Sequence, residues 1–308
     1  MAEEIALSVI VTVVSGREAL RGCLAALQSQ IEEVEAETIV PYDDWSREIG
    51  ELSREFPRVL FHDDQAPGEI RSRHDLYDRR RAVGLALSRG RVVAMTEDHV
   101  VPAPDWIRRI LAAHGQSPAV IGGAIENGID HPLNWAWYYC DFGRYGRPFA
   151  EGPAAYASDV NVSYKREALE SVRELWKNAY HETTVHWALR ARGVELWLTP
   201  EAVVFQHRPR MGLGQAYRER IEWGRVFAET RVAEIGLRHR LLFLLGTPVL
   251  PCLLLWRVWG NMRRQRRTMR QMLTALPVAF FLLTGWALGE LMGYAGGSSA
   301  KARKERQG

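Results

Sequence analysis

The sequence predicts an α/β fold in which a mostly parallel sheet is flanked by helices and followed by C-terminal hydrophobic helices. Two observations support this prediction. From residue 1 to about 125, short apolar runs alternate with amphipathic segments, and this alternation is typical of a parallel sheet with covering helices. Near the C-terminus, residues 241–256 and 271–289 carry no charge, so a second kind of structure follows the sheet.

Six segments of the first half each predict one element. Mainly apolar runs predict strands, because strands of a parallel sheet are buried on both faces. Segments with apolar residues at helical spacing predict helices. In order, we predict a strand in ALSVIVTVV (6–14), a helix in GREALRGCLAALQSQ (16–30), strands in AETIVPY (36–42) and RVLFH (58–62), a helix in RRRAVGLALSR (79–89) and a strand in RVVAMT (91–96). The polar connection 63–75 contains Pro67 and Gly68 and predicts a surface loop.

Residues 126–236 are more mixed in pattern. An aromatic-rich stretch, NWAWYYCDFGRYGRPF (134–149), precedes SDVNVSYKREAL (158–169). The segment HETTVHWALRARGVELWL (181–198) predicts a helix from Thr184 to Gly193, followed by a strand. Together with the first half, this region predicts one folded domain over residues 1–236.

Composition excludes several classes of protein. With 47% apolar residues the 308-residue chain is not disordered, and a formal charge of +3 is too small to indicate a nucleic-acid partner. Cys23, Cys140 and Cys252 form no CxxC pair, which argues against a disulfide framework and a thiolate zinc site. Two acids and no basic residue precede the first apolar run, which argues for a first strand and against a signal peptide.

The C-terminal part predicts a membrane-associated helical hairpin over residues 237–296, followed by a basic tail at 297–308. Both uncharged stretches approach the length needed to cross a hydrocarbon layer of ~30 Å, although Pro248 and Pro251 interrupt the first. Five arginines are crowded into residues 263–270 between the stretches and favour contact with anionic lipid. A pair of buried helices in a soluble core is the alternative. The basic residues are Arg263, Arg264, Arg266, Arg267 and Arg270.

Two physical rules conflict over the topology of this hairpin. If both stretches spanned the bilayer, the arginine-rich loop would face away from the cytosol, against the positive-inside bias. The two prolines favour a shallow or re-entrant hairpin instead. Gly285, Gly289 and Gly293 form a ridge of small residues at four-residue spacing, which would let another helix approach closely, within the hairpin or in a dimer.

Two polar clusters follow predicted strands. Asp43 and Asp44 come after ETIVPY, and Glu97, Asp98 and His99 come after RVVAM with one threonine between. Ligands of open α/β sheets bind beyond the carboxyl ends of the strands. Glu97 and His99, two residues apart, can share a divalent cation to which a diphosphate adds oxygen ligands, and the imidazole favours Mn2+ over Mg2+. A solvated loop with an incidental histidine is the alternative.

The segments ETIVPYDDWS (37–46) and RRAVGLALSRGRVVAMTEDHVVPAPDW (80–106), taken with the order of elements from about Leu7 to Arg231, resemble the inverting family 2 glycosyltransferases of GT-A fold. That fold is a Rossmann-like nucleotide-diphospho-sugar transferase fold. The resemblance implies a nucleotide-binding half at 1–125 and an acceptor half at 126–236. It also implies a nucleotide-sugar donor and a bound divalent cation, Mn2+ or Mg2+.

Carried onto this sequence, the resemblance assigns roles around the donor. Glu97 and His99 take the two positions of the Asp-x-Asp motif, so neither position is aspartate; Glu97 is placed near the ribose and His99 at the metal. Asp98, between them, is placed toward the sugar. Asp43 corresponds to a uracil-contacting aspartate and Asp44 to its neighbour in the base-binding segment.

Further positions follow from the same resemblance. Arg81 matches the arginine of an Arg-Asn-x-Gly turn in which Ala82 replaces the asparagine, and Asn161 lines the donor sugar or serves as a turn residue. His207 corresponds to a histidine that closes over the metal or diphosphate. Arg220 or Arg225 would bind the leaving diphosphate, an ordinary solvated helix face being the alternative.

The segment HETTVHWALRARG (181–193) is similar to the family's Glu-Asp motif, and Glu182 aligns with the catalytic base. Inversion by single displacement needs one carboxylate to accept the proton of the attacking hydroxyl. A glutamate at a helix N-terminus is also a common capping residue without catalytic duty.

The resulting prediction is a membrane-attached inverting glycosyltransferase at the bacterial inner membrane, with its catalytic domain in the cytosol. It would transfer a sugar from a nucleotide-sugar, with UDP as the expected nucleotide, to a lipid-linked or glycan acceptor. Membrane lipids are expected partners and nucleic acid is not. Two alternatives are a degenerate binding subunit of the same fold and a metal-dependent phosphohydrolase.

Overall fold

The structure is a computed structural model that describes residues 5–65, 73–209, 211–232 and 235–296. The basic tail predicted at 297–308 and residues 66–72 of the predicted loop lie outside these ranges. The strands are β1 (Leu7–Thr12), β2 (Ala36–Tyr42), β3 (Val59–Asp63), β4 (Val92–Glu97), β5 (Val100–Pro102), β6 (Val120–Asn127), β7 (Gly152–Ala154), β8 (Asn161–Lys165) and β9 (Leu196–Gln206).

The α-helices are α1 (Arg17–Glu33), α2 (Arg73–Leu87), α3 (Trp106–His114), α4 (Pro132–Asp141), α5 (Arg166–Glu170), α6 (Arg173–Trp176), α7 (Glu182–Ala191), α8 (Leu213–Val232), α9 (Leu237–Gly246), α10 (Leu250–Arg264) and α11 (Met269–Gly296). A 3-10 helix covers Asp44–Arg54.

The chain divides into two compact units. The first comprises Met1–Gly128 and Arg147–Pro209, and the second comprises Ile129–Gly146 and Arg210–Gly308. This division differs from the predicted boundary after residue 236. Residues 129–146 and α8 belong with the C-terminal helices because α4 and α8 both pack against α11.

One mixed sheet forms the centre of the first unit. Its strand order is β3-β2-β1-β4-β8-β6-β9-β5, and β7 pairs with β9. The first four strands are parallel, as the sequence predicts. Beyond β4 the sheet becomes mixed, because β8 runs antiparallel to both β4 and β6 whereas β9 is parallel to β6. The predicted α/β class with flanking helices is confirmed.

Most predicted elements of the first unit are confirmed with small changes at their ends. The strand predicted at residues 36–42 is β2 without any shift. The helix predicted from residue 79 begins earlier, at Arg73, and the helix predicted from Thr184 begins at Glu182. The 3-10 helix after β2 was not predicted, because the capping interaction of Asp43 with the backbone that follows is a local contact without an apolar period.

The predicted glycine ridge packs against α8 within the second unit. A Cβ atom at Gly289 would lie 2.1 Å from the carbonyl oxygen of Ile221, and one at Gly285 would lie 2.9 Å from the Tyr217 ring. At Gly293 the added carbon would lie 2.7 Å from the Cβ atom of Ala228. Only glycine allows the two backbones to approach this closely, and the residue order shows that α8 and α11 run parallel.

Among the described residues, α11 is long and apolar enough to cross a membrane. The first uncharged stretch is divided between α9 and α10, which pass the same test together but are bent by 74° at the break between them. The hydrophobic C-terminal helices of the prediction are therefore three helices.

Candidate active site

Apart from Arg220 and Arg225, the polar residues predicted to bind the donor lie at one edge of the sheet in the first unit. Thr12, the last residue of β1, is in register with Glu97, the last residue of β4. Because β8 runs antiparallel to β4, its first residue, Asn161, pairs with Thr96 at the same edge. The turn before β8 therefore joins the carboxyl ends of the parallel strands.

Asp98 holds the loop between β1 and α1. Its Oδ2 atom accepts hydrogen bonds from the backbone amides of Val14, Ser15 and Gly16, at 2.9, 2.7 and 2.8 Å. The side chain is fully buried. Three amide donors supply the hydrogen bonds that a buried carboxylate requires. Asp98 thus points toward this loop, which differs from the predicted orientation toward the sugar.

His99 and Glu97 come together as predicted for a cation site. Oε2 of Glu97 lies 3.3 Å from Nε2 of His99. The His99 side chain is buried and its Nε2 atom has no hydrogen-bond partner, while Nδ1 lies 3.2 Å from the Ser15 hydroxyl. A buried imidazole nitrogen without a partner, beside a carboxylate oxygen, fits a divalent cation.

The cation would take its remaining ligands from elsewhere. No group of three His, Cys, Asp or Glu side chains is placed to hold a metal ion in the part of the chain that the structure describes. His207 does not complete the set: its backbone amide donates to the carbonyl of His99 at 2.7 Å, but the residue is exposed and its ring lies against Gly128. Two protein ligands suit a cation that is bound together with substrate phosphates and water.

Arg81 connects the cation site to the turn before β8. Its Nη2 atom donates to Oε1 of Glu97 at 2.8 Å and lies 2.8 Å from Oδ2 of Asp159. Burial opposes the charge of this guanidinium, but Asp159, Glu97 and Asp78 together raise its pKa. Arg81 therefore remains a cation, and it screens two carboxylates that would otherwise repel each other.

Glu182, the predicted base, begins α7 and faces the same turn. Its Oε2 atom accepts a hydrogen bond from the backbone amide of Asp159 at 2.9 Å. Burial raises the pKa of Glu182 well above its ordinary value, and the neighbouring carboxylate of Asp159 raises it further. A carboxylate with a raised pKa is a stronger base, as proton abstraction at neutral pH requires.

Asp43 is buried and bound to Arg80. Arg80 donates from Nε to Oδ2 and from Nη2 to Oδ1 of Asp43, both at 2.8 Å, and from Nη1 to the carbonyl of Val13. Oδ1 also accepts from the backbone amide of Trp45 at 3.0 Å. This bidentate pair links the ends of β1 and β2 to α2, and the contact of Asp43 with a nucleotide base stays a prediction.

Asp44 lies in the first turn of the 3-10 helix. Its exposed carboxylate is 2.6 Å from Nη2 of Arg47, three residues further along the chain. An exposed pair of this kind contributes little to stability, so Asp44 is accessible to a ligand and its predicted role in base binding stays a prediction.

Asn161 has a structural role. Its side-chain oxygen accepts from the indole nitrogen of Trp106 at 2.9 Å, and its amide nitrogen donates to the carbonyls of Ala124 and Ala202, also at 2.9 Å. The side chain is buried. Both polar atoms of its amide are thus taken up by α3, β6 and β9, and the predicted contact of Asn161 with the donor sugar stays a prediction.

The two arginines predicted to bind diphosphate belong to the second unit. Arg220 is only 2% exposed, forms an ion pair with Asp141, and lies 4.8 Å from the ring centre of Trp286. The charge of Arg220 is therefore neutralised inside the unit, and its predicted role as a diphosphate ligand stays a prediction. Arg225 is exposed and pairs with Glu229 at 2.9 Å; its role stays a prediction.

Two residues of this edge were missed in the sequence. Asp159 contacts both Arg81 and Glu182, and Arg80 binds Asp43. Asp159 lies in the sequence Ser-Asp-Val-Asn that leads into β8. A carboxylate beside small residues just before a strand is the pattern that could have identified it as a site residue. Arg80 is one of three consecutive arginines, and no sequence pattern predicts its pairing with Asp43.

The first part of the chain matches a known protein family. The model of the family described as "Glycosyl transferase family 2" matches residues 8–173. The matched region contains Arg81, Glu97, His99 and Asp159 and ends before Glu182. No protein among the curated ones matches the chain.

Two solved structures are similar in fold. The mannosyltransferase PcManGT from Pyrobaculum calidifontis, in complex with GDP-Man and Mn2+, is 12% identical with a TM-score of 0.49, over 99% of this chain and 80% of its own. GalNAc-T7, solved with UDP, GalNAc and Mn2+, is 12% identical with a TM-score of 0.47, over 67% of this chain and 44% of its own.

Proposed function

Because the chain belongs to glycosyl transferase family 2, we propose that this glycosyltransferase moves a sugar from a nucleotide-sugar to a lipid-linked, membrane-proximal acceptor with inversion at the anomeric carbon. One observation carries the proposal. A continuous set of contacts runs from Glu182 through Asp159 and Arg81 to Glu97, which lies beside the unpartnered nitrogen of His99. The candidate base and the candidate cation site are thus parts of one charged network.

The chemistry of single displacement assigns a task to each end of this network. Glu182 accepts the proton of the acceptor hydroxyl, while the oxygen of that hydroxyl forms the new bond to the anomeric carbon. The bond between that carbon and the diphosphate oxygen breaks, and its electron pair stays on the diphosphate. A divalent cation held by Glu97 and His99 would supply positive charge to the departing nucleoside diphosphate.

Asp159 and Arg81 prepare both ends for the reaction. The backbone amide of Asp159 fixes one oxygen of Glu182 and orients the carboxylate. The Asp159 side chain keeps Arg81 in place, so that Arg81 can balance the charge of Glu97. Pre-organised charges of this kind contribute most where negative charge develops during the reaction.

The apolar C-terminal helices are the reason for proposing a lipid-linked acceptor. The exposed apolar surface of α9, α10 and α11 would hold the catalytic unit beside a bilayer, and this raises the local concentration of a lipid-linked acceptor. Nucleotide-sugars are cytosolic, so we place the catalytic unit on the cytosolic side of the bacterial inner membrane.

Calorimetric binding of nucleoside diphosphates to the full chain tests the proposed donor site. UDP is measured first, followed by the other nucleoside diphosphates, with Mn2+, with Mg2+ and with a chelator. We expect metal-dependent binding that weakens at least about tenfold in His99→Ala, the lower end of the effect of removing even a partner that only orients a metal ligand. The control variant His239→Ala changes an exposed histidine of α9 and should bind as the parent does.

The opposite results identify the competing functions. Folded protein that binds no nucleoside diphosphate under any of these conditions would exclude a nucleotide-sugar transferase. Binding followed by slow release of free sugar, without transfer to any acceptor in a lipid extract, would favour a phosphohydrolase. Binding with neither activity would favour a degenerate binding subunit.

A further inference from the structure

We propose that the second unit is an in-plane membrane anchor: its apolar helices lie in one leaflet of an anionic phospholipid bilayer, and none of the described helices crosses it. The inference rests on the proposed membrane-bound function and extends it to the topology. It departs from a two-pass hairpin, in which the arginine-rich turn between α10 and α11 would reach the far side. Four features of the unit support this arrangement.

The first feature is that the turn between α10 and α11 is bound to α4. Arg267 donates to the hydroxyl of Tyr139 at 2.7 Å and lies 4.2 Å from the ring centre of Trp135. Gln265 and Arg264 each donate to the carbonyl of Gly143 at 3.0 Å. The turn therefore lies on whichever side of the bilayer α4 occupies.

Chain connectivity keeps α4 on the side of the catalytic unit. The helix is preceded by β6, which ends at Asn127, and it is followed by β7, which begins at Gly152. It has 10 residues, a length of about 15 Å, which is half of the ~30 Å needed to cross the hydrocarbon core. The arginine-rich turn is consequently on the catalytic side, where the positive-inside bias would put it.

The second feature is the polar outer face of α8. The glycine ridge keeps α8 against α11 from Gly285 to Gly293. The opposite face of α8 exposes Gln215, Arg218, Glu222 and Arg225. If α11 crossed the bilayer, these side chains would enter the hydrocarbon beside it, and charged side chains there are costly. The C-terminal half of α11 therefore lies along a helix that faces water.

The third feature is a continuous apolar stripe on α11. The exposed large side chains recur along the helix singly or in adjacent pairs, separated by three, four or seven positions, which keeps them on one side of it. Such a one-sided stripe fits a helix lying in the interface, whereas a spanning helix faces lipid over most of its circumference. The stripe comprises Met269, Leu273, Phe280, Phe281, Leu288, Leu291 and Met292.

The fourth feature is the bend between α9 and α10. Helices of 10 and 15 residues, about 15 and 22 Å long, are each too short to cross, and the 74° bend prevents them from acting as one straight span. Both expose large apolar side chains, among them Leu245 and Leu253, and Val249 is exposed at the bend. This V-shaped pair can dip into a leaflet and return.

Charge complementarity selects an anionic bilayer as the partner. Arg257, Arg263, Arg266 and Arg270 are exposed on α10, the turn and the start of α11. Arg263 lies 4.9 Å from the ring centre of Trp259, an arrangement in which an aromatic ring and a cation both sit at headgroup level. Each basic residue near the surface adds attraction to anionic headgroups.

Labelling of single cysteines at the two ends of α11 tests the topology. Thr268→Cys and Ala295→Cys, both at exposed positions, are placed in a Cys252→Ser background that removes the exposed native thiol. We expect an impermeant maleimide to label neither position in intact bacterial cells and both after permeabilisation. Labelling of either position in intact cells would overturn the proposal, because α11 would then cross the bilayer or lie on its outer side.

Two controls accompany the labelling. Leu175→Cys lies at an exposed position of the catalytic unit and should follow the same pattern as both ends of α11. The Cys252→Ser parent reports the background from Cys23 and Cys140. A catalytic-unit cysteine whose labelling differs from that of Thr268→Cys would place the turn on the other side of the bilayer and contradict the inference.

Flotation of the full chain with vesicles tests the bilayer as the partner. We expect binding to vesicles of mixed phosphatidylcholine and phosphatidylglycerol, and weaker binding to pure phosphatidylcholine. The double variant Leu253→Asp, Trp256→Asp should reduce binding by about tenfold or more, because interfacial binding scales with buried apolar area. Trp45→Asp is the matched control, since Trp45 and Trp256 are 73% and 67% exposed.

UDP calorimetry on the same preparations separates the two proposals. Nucleotide binding without vesicle binding would overturn the membrane anchor and leave the donor site intact. Vesicle binding without nucleotide binding would leave the anchor supported while the proposed transferase chemistry fails. If the double variant and Trp45→Asp lost vesicle binding equally, the apolar face of α10 would not be the surface that binds the bilayer.

Discussion

Asp98 and His99 are neighbours in the sequence with different tasks in the fold. Asp98 uses one oxygen to bind three amides of the β1–α1 loop, whereas His99 keeps a buried ring nitrogen without a partner. Their side chains lie close together in the turn between β4 and β5, with Nδ1 of His99 3.3 Å from Oδ1 of Asp98. The motif thus combines a structural carboxylate, established by its hydrogen bonds, with a proposed ligand for a cation.

Glu182→Gln tests the base at the scale of a single residue. The amide keeps the shape of the side chain but cannot accept the proton, so we expect turnover to fall by about 10²–10⁴ while nucleotide binding stays unchanged. The measurement is the transfer rate with the donor identified from the binding panel. Glu195→Gln, at an exposed position shortly after α7, is the matched control. Full activity in Glu182→Gln would rule this residue out as the base.

At the scale of elements, strand direction decides which residues meet. Because β8 is antiparallel to β4, the turn before β8 brings Asp159 to the edge where the parallel strands end. In the second unit, the parallel contact of α8 and α11 depends on glycines of both helices: a Cβ at Gly224 would lie 2.2 Å from the Trp286 carbonyl oxygen. Neither arrangement is local, since each joins segments far apart in the chain.

Gly289→Ala tests the close contact of α8 and α11. The added carbon would lie 2.1 Å from the Ile221 oxygen and 2.8 Å from the Arg225 nitrogen, so the helices must separate. We expect a loss of about 1–3 kcal/mol from overpacking, only partly offset by the better helix propensity of alanine. Thermal unfolding should show a lower Tm.

Gly260→Ala provides the control for this substitution. Gly260 lies within α10, and a Cβ there would meet no atom within 4 Å. The variant should therefore be unchanged or more stable, by up to about 1 kcal/mol from helix propensity. An equal Tm for Gly289→Ala and the parent would mean that the helices are not in close contact.

At the scale of the whole molecule, buried neutral histidines make stability depend on pH. Burial, with a smaller effect of Lys165, lowers the pKa of His114 from 6.5 to about 4, and burial lowers the pKa of His186 to about 4. The unfolded chain binds a proton on each histidine below pH 6.5, whereas the folded chain does so only below about 4. Stability is therefore lost as the pH falls through this window.

His114→Gln tests this pH dependence. The difference in pKa corresponds to a loss of about 3 kcal/mol for one histidine between pH 6.5 and 4, at about 1.4 kcal/mol for each pKa unit. Denaturant unfolding at several pH values gives the free energy of unfolding as a function of pH. This free energy should change less steeply with pH in the variant than in the parent. Comparison of the two proteins removes the opposite contribution of Glu182, whose pKa is raised. Identical slopes would mean that His114 is not buried in neutral form.

Whole-molecule organisation is also where the predicted domain boundary and the structure differ. The prediction separated the chain at residue 236, where the composition becomes apolar. The compact units instead join α4 and α8 to the C-terminal helices. Composition marks where apolar residues are concentrated, but the partner of an apolar helix face lies elsewhere in the chain and has no compositional signature.

The local pattern of the sequence was sufficient to determine the α/β class, the strands β1 to β4 with the helices α1 and α2, the acidic motif after β4 and the glycine ridge of α11. Each of these depends on side-chain periodicity or on residue types within a few positions, which a linear chain displays directly. Only the tertiary structure decided that Asn161 and Arg220 are taken up inside the protein, that Arg80 binds Asp43, that Asp159 joins Arg81 to Glu182, and that α8 covers the ridge. These contacts connect residues distant in sequence, and their partners follow from strand order and helix packing rather than from any local pattern.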